Sequence, residues 1–301
     1  MSNNFLKKLI AKVRDFINLP IHIRSMNDLM LFQQTKQLQM AHPNPLNKYG
    51  LKCFSQTDED GITLEILKRI GMSNPGVFAE FGVGDGTENN TLILAALGWK
   101  GFWVGGQDIK FNWKQGDARK FTFLQDWVTL DNILDLTEKG LSLIDEKEFD
   151  VISLDLDGND LFFIDSLLSN GMRPKLFIAE YNAKFIPPVE FTVAYDAGHV
   201  WSHDDYFGTS LTSLDKLFTK FDYKLVCCNS HTGVNAFFVD SKYAVYFLDV
   251  PADISQIFVE PRYHLYHRYG HTKSFKTIEK IFGDLNADRN PVAKLTTELQ
   301  N

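Results

Sequence analysis

The run Glu80-Phe81-Gly82-Val83-Gly84-Asp85-Gly86 closes an apolar stretch at 76–80 and constrains this chain more than any other segment. Glycines lack a Cβ, so the backbone can turn sharply after a strand and come close to a ligand, while a following helix offers unpaired N–H groups. A dinucleotide loop spaces its glycines G-x-G-x-x-G. Here the third place is Thr87 and the spacing is E-x-G-x-G-x-G, which disfavours pyrophosphate. The carboxylate at the head of the run suits an ammonium group, and so a cofactor that carries an amino-acid moiety.

Around that run, strand-like and helix-like segments alternate. Thr57-Asp58-Glu59-Asp60, followed by Ile62, Leu64, Ile66, Leu67 and Ile70, predicts a capped helix over 58–70 that Gly71 stops. Strands are expected at 77–81, 101–104, 121–128, 150–156 and 175–180, and helices at 90–97, 130–136, 161–168 and 210–221. Such alternation builds an α/β fold with a mostly parallel, doubly wound sheet. The strand-like runs 223–228 and 234–239 break the rhythm. Asn229-Ser230-His231-Thr232-Gly233 is too short for a crossover helix, so the two runs should form an antiparallel hairpin closing the sheet.

The ends read differently. Phe5, Leu6, Leu9, Ile10, Val13, Phe16 and Ile17 recur at helical spacing, with Lys7, Lys8, Lys12 and Arg14 on the remaining face. This is a basic amphipathic helix, suited to docking on the body, on a second subunit of a homo-oligomer, or peripherally on a membrane. Pro20 should end it, and a second helical stretch is expected at 26–39. The turn-rich His42-Pro43-Asn44-Pro45-Leu46-Asn47 marks a boundary. The expected organisation is a helical extension at 1–45, a catalytic domain at 46–248 and a C-terminal extension at 249–301. In that last segment His264, His267 and His271 lack a thiol or acid to complete a zinc set, and their aromatic and basic neighbours suit packing or carbohydrate stacking better.

Bulk composition narrows the classes. At 301 residues, 44% of them hydrophobic, the chain can bury one large core, and its net charge of −7 gives no global attraction to nucleic acid. Cys53, Cys227 and Cys228 form an odd set, and the adjacent pair points to opposite faces of a strand, which argues against a disulfide framework and a zinc cluster. No stretch approaches the roughly 20 apolar residues that cross a bilayer, and a signal-type core is lacking, so the expected compartment is the cytoplasm, with the inner face of a membrane as a peripheral site.

Five blocks in order along 43–240 resemble the FkbM-type branch of class I S-adenosylmethionine-dependent methyltransferases. They are Phe54-Ser55-Gln56-Thr57-Asp58-Glu59-Asp60-Gly61, Glu80 through Thr91, Asp155-Leu156-Asp157-Gly158-Asn159-Asp160, Tyr206-Phe207-Gly208-Thr209-Ser210-Leu211 and Gly233 through Val239. The resemblance implies a Rossmann-like sheet of seven strands with a final antiparallel hairpin, and S-adenosylmethionine as cofactor. It places Glu80, Gly82, Val83, Gly84, Asp85, Gly86 and Asn90 around the methionine and ribose, Val128 near the adenine, and Asp155 among the cofactor contacts. Asn89 and Asn90 also read as plain helix caps. One departure stands out: the acid that usually ends the second strand and holds the ribose hydroxyls is replaced by Gly105, leaving Gln107 or Asp108 to reach back from the loop. The implied activity is O-methylation of a hydroxyl on a saccharide, glycan or natural-product precursor, as in polysaccharide biosynthesis. The alternative is a non-catalytic binding or assembly protein on the same fold.

Methyl transfer to an alcohol needs an in-line nucleophile and removal of its proton. Asp155 and Asp157 lie two apart at the carboxyl end of the fourth strand and Glu180 and Asn182 at the end of the fifth, so a carboxylate-rich pocket is expected there. Two mechanisms can use it. Asp157, Glu180 and Asn182 could bind Mg²⁺, which lowers the pKa of a sugar hydroxyl. Alternatively His203, in Trp201-Ser202-His203-Asp204-Asp205-Tyr206, acts as general base with Asp204 or Asp205 fixing its tautomer. Asp160 reads as a helix cap or first-turn acid, and Asn235 as facing the pocket or serving an edge backbone group.

Overall fold

The computed structural model describes residues 3–115, 117–262, 264–265, 268–269 and 271–284. The chain divides into two compact units, Met1–Ala41 and His42–Asn301. The first unit is a single helix, α1 (Asn3–Ala41), that runs through Pro20. The two helices expected around that proline are therefore one. Pro20 lacks only the N–H that would reach the carbonyl of Phe16, and both residues are exposed to water that can serve that carbonyl.

The second unit opens with a short 3-10 turn (Pro45–Tyr49) and α2 (Glu59–Arg69). There follow β1 (Val77–Phe81), α3 (Leu92–Ala96), β2 (Lys100–Gly105), β3 (Phe121–Gln125), α4 (Ile133–Leu143), β4 (Val151–Leu154), α5 (Asp160–Ser169), β5 (Leu176–Glu180), α6 (Leu211–Lys220), β6 (Tyr223–Cys228) and β7 (Asn235–Asp240). The sheet order is β3-β2-β1-β4-β5-β7-β6. The first five strands pair in parallel, and β7 is antiparallel to both β5 and β6. This is the doubly wound sheet of class I methyltransferases. Every residue of β1, β4 and β5 is buried, as strands covered on both faces require. On one face α4 packs beside α5 and α5 beside α6, whose Phe218 stacks on Phe238 of β7 at 3.8 Å.

Several boundaries differ from expectation, among them the fourth strand, which ends at Leu154 rather than 156. The third strand stops at Gln125 rather than 128: the Asp126 amide makes the last bond to Gly105, and Asn132 then folds the chain back by accepting from the Thr129 amide and donating to the Trp127 carbonyl. The helix expected at 130–136 lies instead at Ile133–Leu143. It accommodates Gly140 because a Cβ there would stand 2.4 Å from the Phe102 ring of β2.

The acidic run before and within α2 is buried architecture. Oδ2 of Asp60 accepts the amides of Cys53, Phe54 and Ser55 at 2.6, 2.6 and 2.9 Å. Asp58 accepts those of Ser230 and His231, and Glu59 accepts from Thr57, Asn229 and Asn235. The run thus ties the 53–61 segment to the hairpin loop. Cys227 and Cys228 are both buried in β6, and all three cysteines are free.

Beyond β7, Phe247, Val250, Ile257 and Val259 pack into the core, and the Tyr181 hydroxyl donates to the Val259 carbonyl at 2.8 Å. The tail adds a short antiparallel pair, β8 (His264–Leu265) with β9 (Arg268–Tyr269), and α7 (Phe275–Gly283). Tyr263, Tyr266, His267 and Gly270 lie outside the described residues.

Candidate active site at the carboxyl edge of the sheet

β1 brings the glycine run to the carboxyl edge of the parallel strands. Gly82 adopts φ +91°, and a Cβ there would lie 1.5 Å from the carbonyl oxygen of Asp155, so only glycine fits where the first turn meets β4. Gly84 is the opposite case: nothing stands within 4 Å of where its Cβ would be. Gly86 lies under the Phe111 ring, and Val83 is buried. Asp85 is engaged within the loop. It pairs with Lys110 at 2.6 Å and accepts from the Thr87 amide and hydroxyl, and these contacts pull its carboxyl down to about 2.

Glu80 does not present a free carboxylate to a ligand. Its Oε1 accepts the Asn90 amide at 2.9 Å, and its Oε2 accepts the Thr91 amide at 3.1 Å and the Thr91 hydroxyl at 2.5 Å. Burial raises its pKa to about 7 against those hydrogen bonds. Thr91 in turn accepts the Trp103 indole N–H at 2.9 Å, and the Asn90 side-chain amide donates to Ser153 of β4 at 3.1 Å. Glu80 and Asn90 therefore brace the loop. Because Glu80 takes the amides of residues 90 and 91, the helix begins only at Leu92 and is five residues long, shorter than the expected 90–97.

The missing acid at Gly105 has a steric cause. The amides of Gly82 and Val83 both bond to the Val104 carbonyl, which draws the loop across the end of β2. A Cβ on Gly105 would lie 2.0 Å from the Val83 carbonyl oxygen. Gln107 and Asp108 stand exposed on the following loop, which Lys110 stitches to Asp85 through its amide as well as its ammonium group. Val128 is buried, whereas its neighbour Trp127 is half exposed and donates its indole N–H to the Ala197 carbonyl.

At the centre of the edge lies a cluster of acids. β4 and β5 pair through Leu154 and Ala179, so Asp155 and Glu180, one residue further, face each other, and Asn235 stands opposite Glu180 in the β5–β7 register. One carboxylate oxygen each from Asp155, Asp157 and Glu180 can be chosen so that all lie within 4.8 Å. Burial, then the neighbouring carboxylates, push Asp155 and Glu180 well above the ordinary carboxylate range. Glu180 Oε2 and Asn235 Oδ1 are buried without a hydrogen-bond partner, although Glu180 is only 8% and Asn235 only 3% exposed.

Asp157 is held in an unusual backbone state at φ +56°. Asp160 enforces it by accepting the amides of Leu156 and Gly158, on either side, at 2.8 and 3.0 Å; burial raises the Asp160 pKa to about 6. Asp160 is thus a turn clamp at the first position of α5. Asn159 exchanges two hydrogen bonds with the Asp196 backbone, which brings His199 against Gly158. The His199 Nε2 is buried without a partner, and both His199 and His203 act electrostatically on Asp157. No motif in the sequence points to His199, whose only signal is its position two residues before Trp201.

Three expected roles do not survive. Asn182 is fully buried, with its amide donating to the carbonyls of Asp205 and Phe207 and its oxygen accepting the Lys184 amide, so it cannot turn to a metal. Its place in the acid cluster is taken by Asp155. Asp205 accepts the Ser274 amide and the Thr277 hydroxyl and pairs with Lys184, and Asp204 caps the Tyr206 amide, so the hydrogen bonds found at both acids lead away from His203. His203 itself sits at φ +59° with its ring against Trp201 at 4.6 Å.

The strand order and the glycine loop at its carboxyl edge define a class I methyltransferase fold. No family model matches the chain, and no curated protein sequence does. Among solved structures it is similar to a candidate hemolysin from Lactococcus lactis, at 13% identity over 60% of this chain and 86% of that one, TM-score 0.38. It is also similar to the 1,6-didemethyltoxoflavin-N1-methyltransferase of Burkholderia thailandensis, at 15% identity over 59% and 74%, TM-score 0.34. An O-methyltransferase family 2 protein from Planctomyces limnophilus, in complex with apigenin, shows 12% identity over 61% and 62%, TM-score 0.32. With TM-scores below 0.5 these likenesses assign this chain neither fold nor role.

Proposed function

We propose that the protein is an S-adenosylmethionine-dependent methyltransferase of the FkbM type that O-methylates a hydroxyl of a saccharide, glycan or natural-product precursor. The observation that carries this reading is the meeting, at one edge of a class I sheet, of an open glycine at Gly84 and an acid cluster whose buried Glu180 oxygen lacks a partner. The backbone at Val83 and Gly84 is the seat for the methionine end, with Gln107 and Asp108 in reach of the ribose. S-adenosylmethionine, when bound, supplies an electrophilic methyl on sulfur. Asp155, Asp157 and Glu180 would hold a divalent cation such as Mg²⁺: their oxygens are hard donors in mutual reach, and one of them is unsatisfied. Such a cation lowers the pKa of a coordinated hydroxyl. Asp157 and the two imidazoles beside it would orient the acceptor and take its proton as the O–C bond forms and the methyl–sulfur bond breaks, leaving a neutral thioether.

Calorimetry with S-adenosylmethionine tests the cofactor assignment, and absence of binding at millimolar cofactor overturns it. If turnover survives both chelation and Asp157→Ala, the metal assignment falls. Gly105 favours a second reading, a binding or assembly protein on the same fold, because the usual ribose acid has no room there. Failed calorimetry with an intact fold would select it. No described helix is long and apolar enough to cross a membrane. The basic residues of α1, Lys7, Lys8, Lys12 and Arg14, fit a peripheral contact with an anionic surface or partner at the cytoplasmic face. Reversing their charge should abolish such a contact.

A further inference from the structure

α7 is folded with its polar side in and its apolar side out. On the inner side, the Ser274 amide and the Thr277 hydroxyl both donate to Asp205 at 2.7 Å, and Thr277 is buried. On the outer side, Phe275 is 83% and Phe282 67% exposed, with Ile278 also exposed. At 100° per residue these three lie within an arc of about 60°. Lys273 and Lys276, both exposed, lie beside them, with the exposed Glu279 on the same border.

The position of this face matters as much as its composition. Thr272 bridges to Asp204, the His271 ring packs on Trp201 at 5.0 Å and Phe207 at 4.8 Å, and the Lys276 ammonium sits 5.8 Å from the Tyr206 ring centre. The same Trp201 supports His203, which acts on Asp157. The helix therefore forms part of the rim of the acid cluster.

We propose that α7 docks on a lipid bilayer, with Phe275, Ile278 and Phe282 at the boundary of headgroups and acyl chains and Lys273 and Lys276 among anionic headgroups. Docked in this way, the rim opens toward acceptors carried on a lipid; this last point rests on the methyltransferase reading, and the docking itself does not. A second copy of the chain is a poor occupant. Nine helical residues span about 13 Å, and a face about 10 Å wide offers on the order of 150 Å², far below the ~800 Å² per partner of a stable interface. A bilayer sets no such threshold, since binding grows with each apolar side chain inserted and each lysine near anionic lipid.

Flotation of the full chain with vesicles of phosphatidylcholine and phosphatidylglycerol tests the assignment. The wild type should float with them, and Phe275→Ser/Phe282→Ser should lower its vesicle affinity more than about tenfold with an unchanged unfolding midpoint. Lys273→Glu/Lys276→Glu should weaken binding to the mixed vesicles only. A wild type that stays in the aqueous fraction overturns the proposal. So does a double phenylalanine variant that floats like the wild type, which would assign binding to α1, and so does self-association in solution that this variant abolishes. Because S-adenosylmethionine affinity is measured separately by calorimetry, a failure of the enzyme reading leaves the docking result standing.

Discussion

Two acidic triplets in this chain look alike on paper and behave as opposites in the fold. Asp58, Glu59 and Asp60 are buried in a surround of donors: backbone amides, a threonine hydroxyl and two asparagine amides meet nearly every oxygen, Asp60 Oδ1 excepted. Asp155, Asp157 and Glu180 gather at the sheet edge with few donors, and Glu180 is left with an unpartnered oxygen. The first triplet stabilises the fold because its charges are answered from within. The second is left to be answered from outside, by a proton, a cation or a substrate.

The strongest test of this contrast is Asp60→Ala. It strips the acceptor from three amides, two of them part-buried, and should cost about 3–5 kcal/mol in denaturant unfolding; a loss below about 1 kcal/mol would erase the distinction between the triplets. Glu180→Gln should move the other way. Relieved of a like charge, the fold should hold its stability or gain up to about 1 kcal/mol, while divalent-cation binding by calorimetry disappears.

The pH response probes the second triplet, although burial and then Asp58 raise Glu59 of the first triplet as well. The folded pKa values of Asp155 and Glu180 lie above their unfolded ones, as do those of Glu80, at about 7, and Asp160, at about 6. Each of these groups keeps a proton in the folded state that the unfolded chain has already released. Their contribution is complete below about pH 4 and is lost as pH rises through the folded values. The stability difference between wild type and Glu180→Gln should therefore widen from pH 5 to pH 8, and added Mg²⁺ should close it. A flat difference would mean that Glu180 is not raised in the folded state. The smallest effect on the fold belongs to Gly84→Ala, expected within about 0.5 kcal/mol because its Cβ meets nothing, yet it should weaken S-adenosylmethionine binding measurably. Equal cofactor affinity would move the binding seat away from Gly84.

The succession of strands and the closing hairpin were readable because they rest on local signals: alternating apolar runs, and a five-residue gap too short for a crossover helix at 229–233. Side-chain direction was not. Glu80 and Asn182 carry the chemistry of ligand-binding residues, but Thr91 and the carbonyls of 205 and 207 reach them first, and those partners come from distant segments. His199 escaped notice because nothing in its neighbours predicts that Asn159 will pin the 196 loop beside Gly158. Pro20 misled for the opposite reason, since a helix exposed at that turn can leave one carbonyl to water.

The crossing of Val83 over Gly105 closes one route for anyone redesigning this protein. A carboxylate grafted at 105 would meet a carbonyl oxygen at its first carbon, so under the proposed cofactor reading a ribose-binding acid would have to come from 107 or 108. Those positions ride on a loop latched by the Lys110–Asp85 pair, so under the proposed methyltransferase reading cofactor affinity should fall as ionic strength rises.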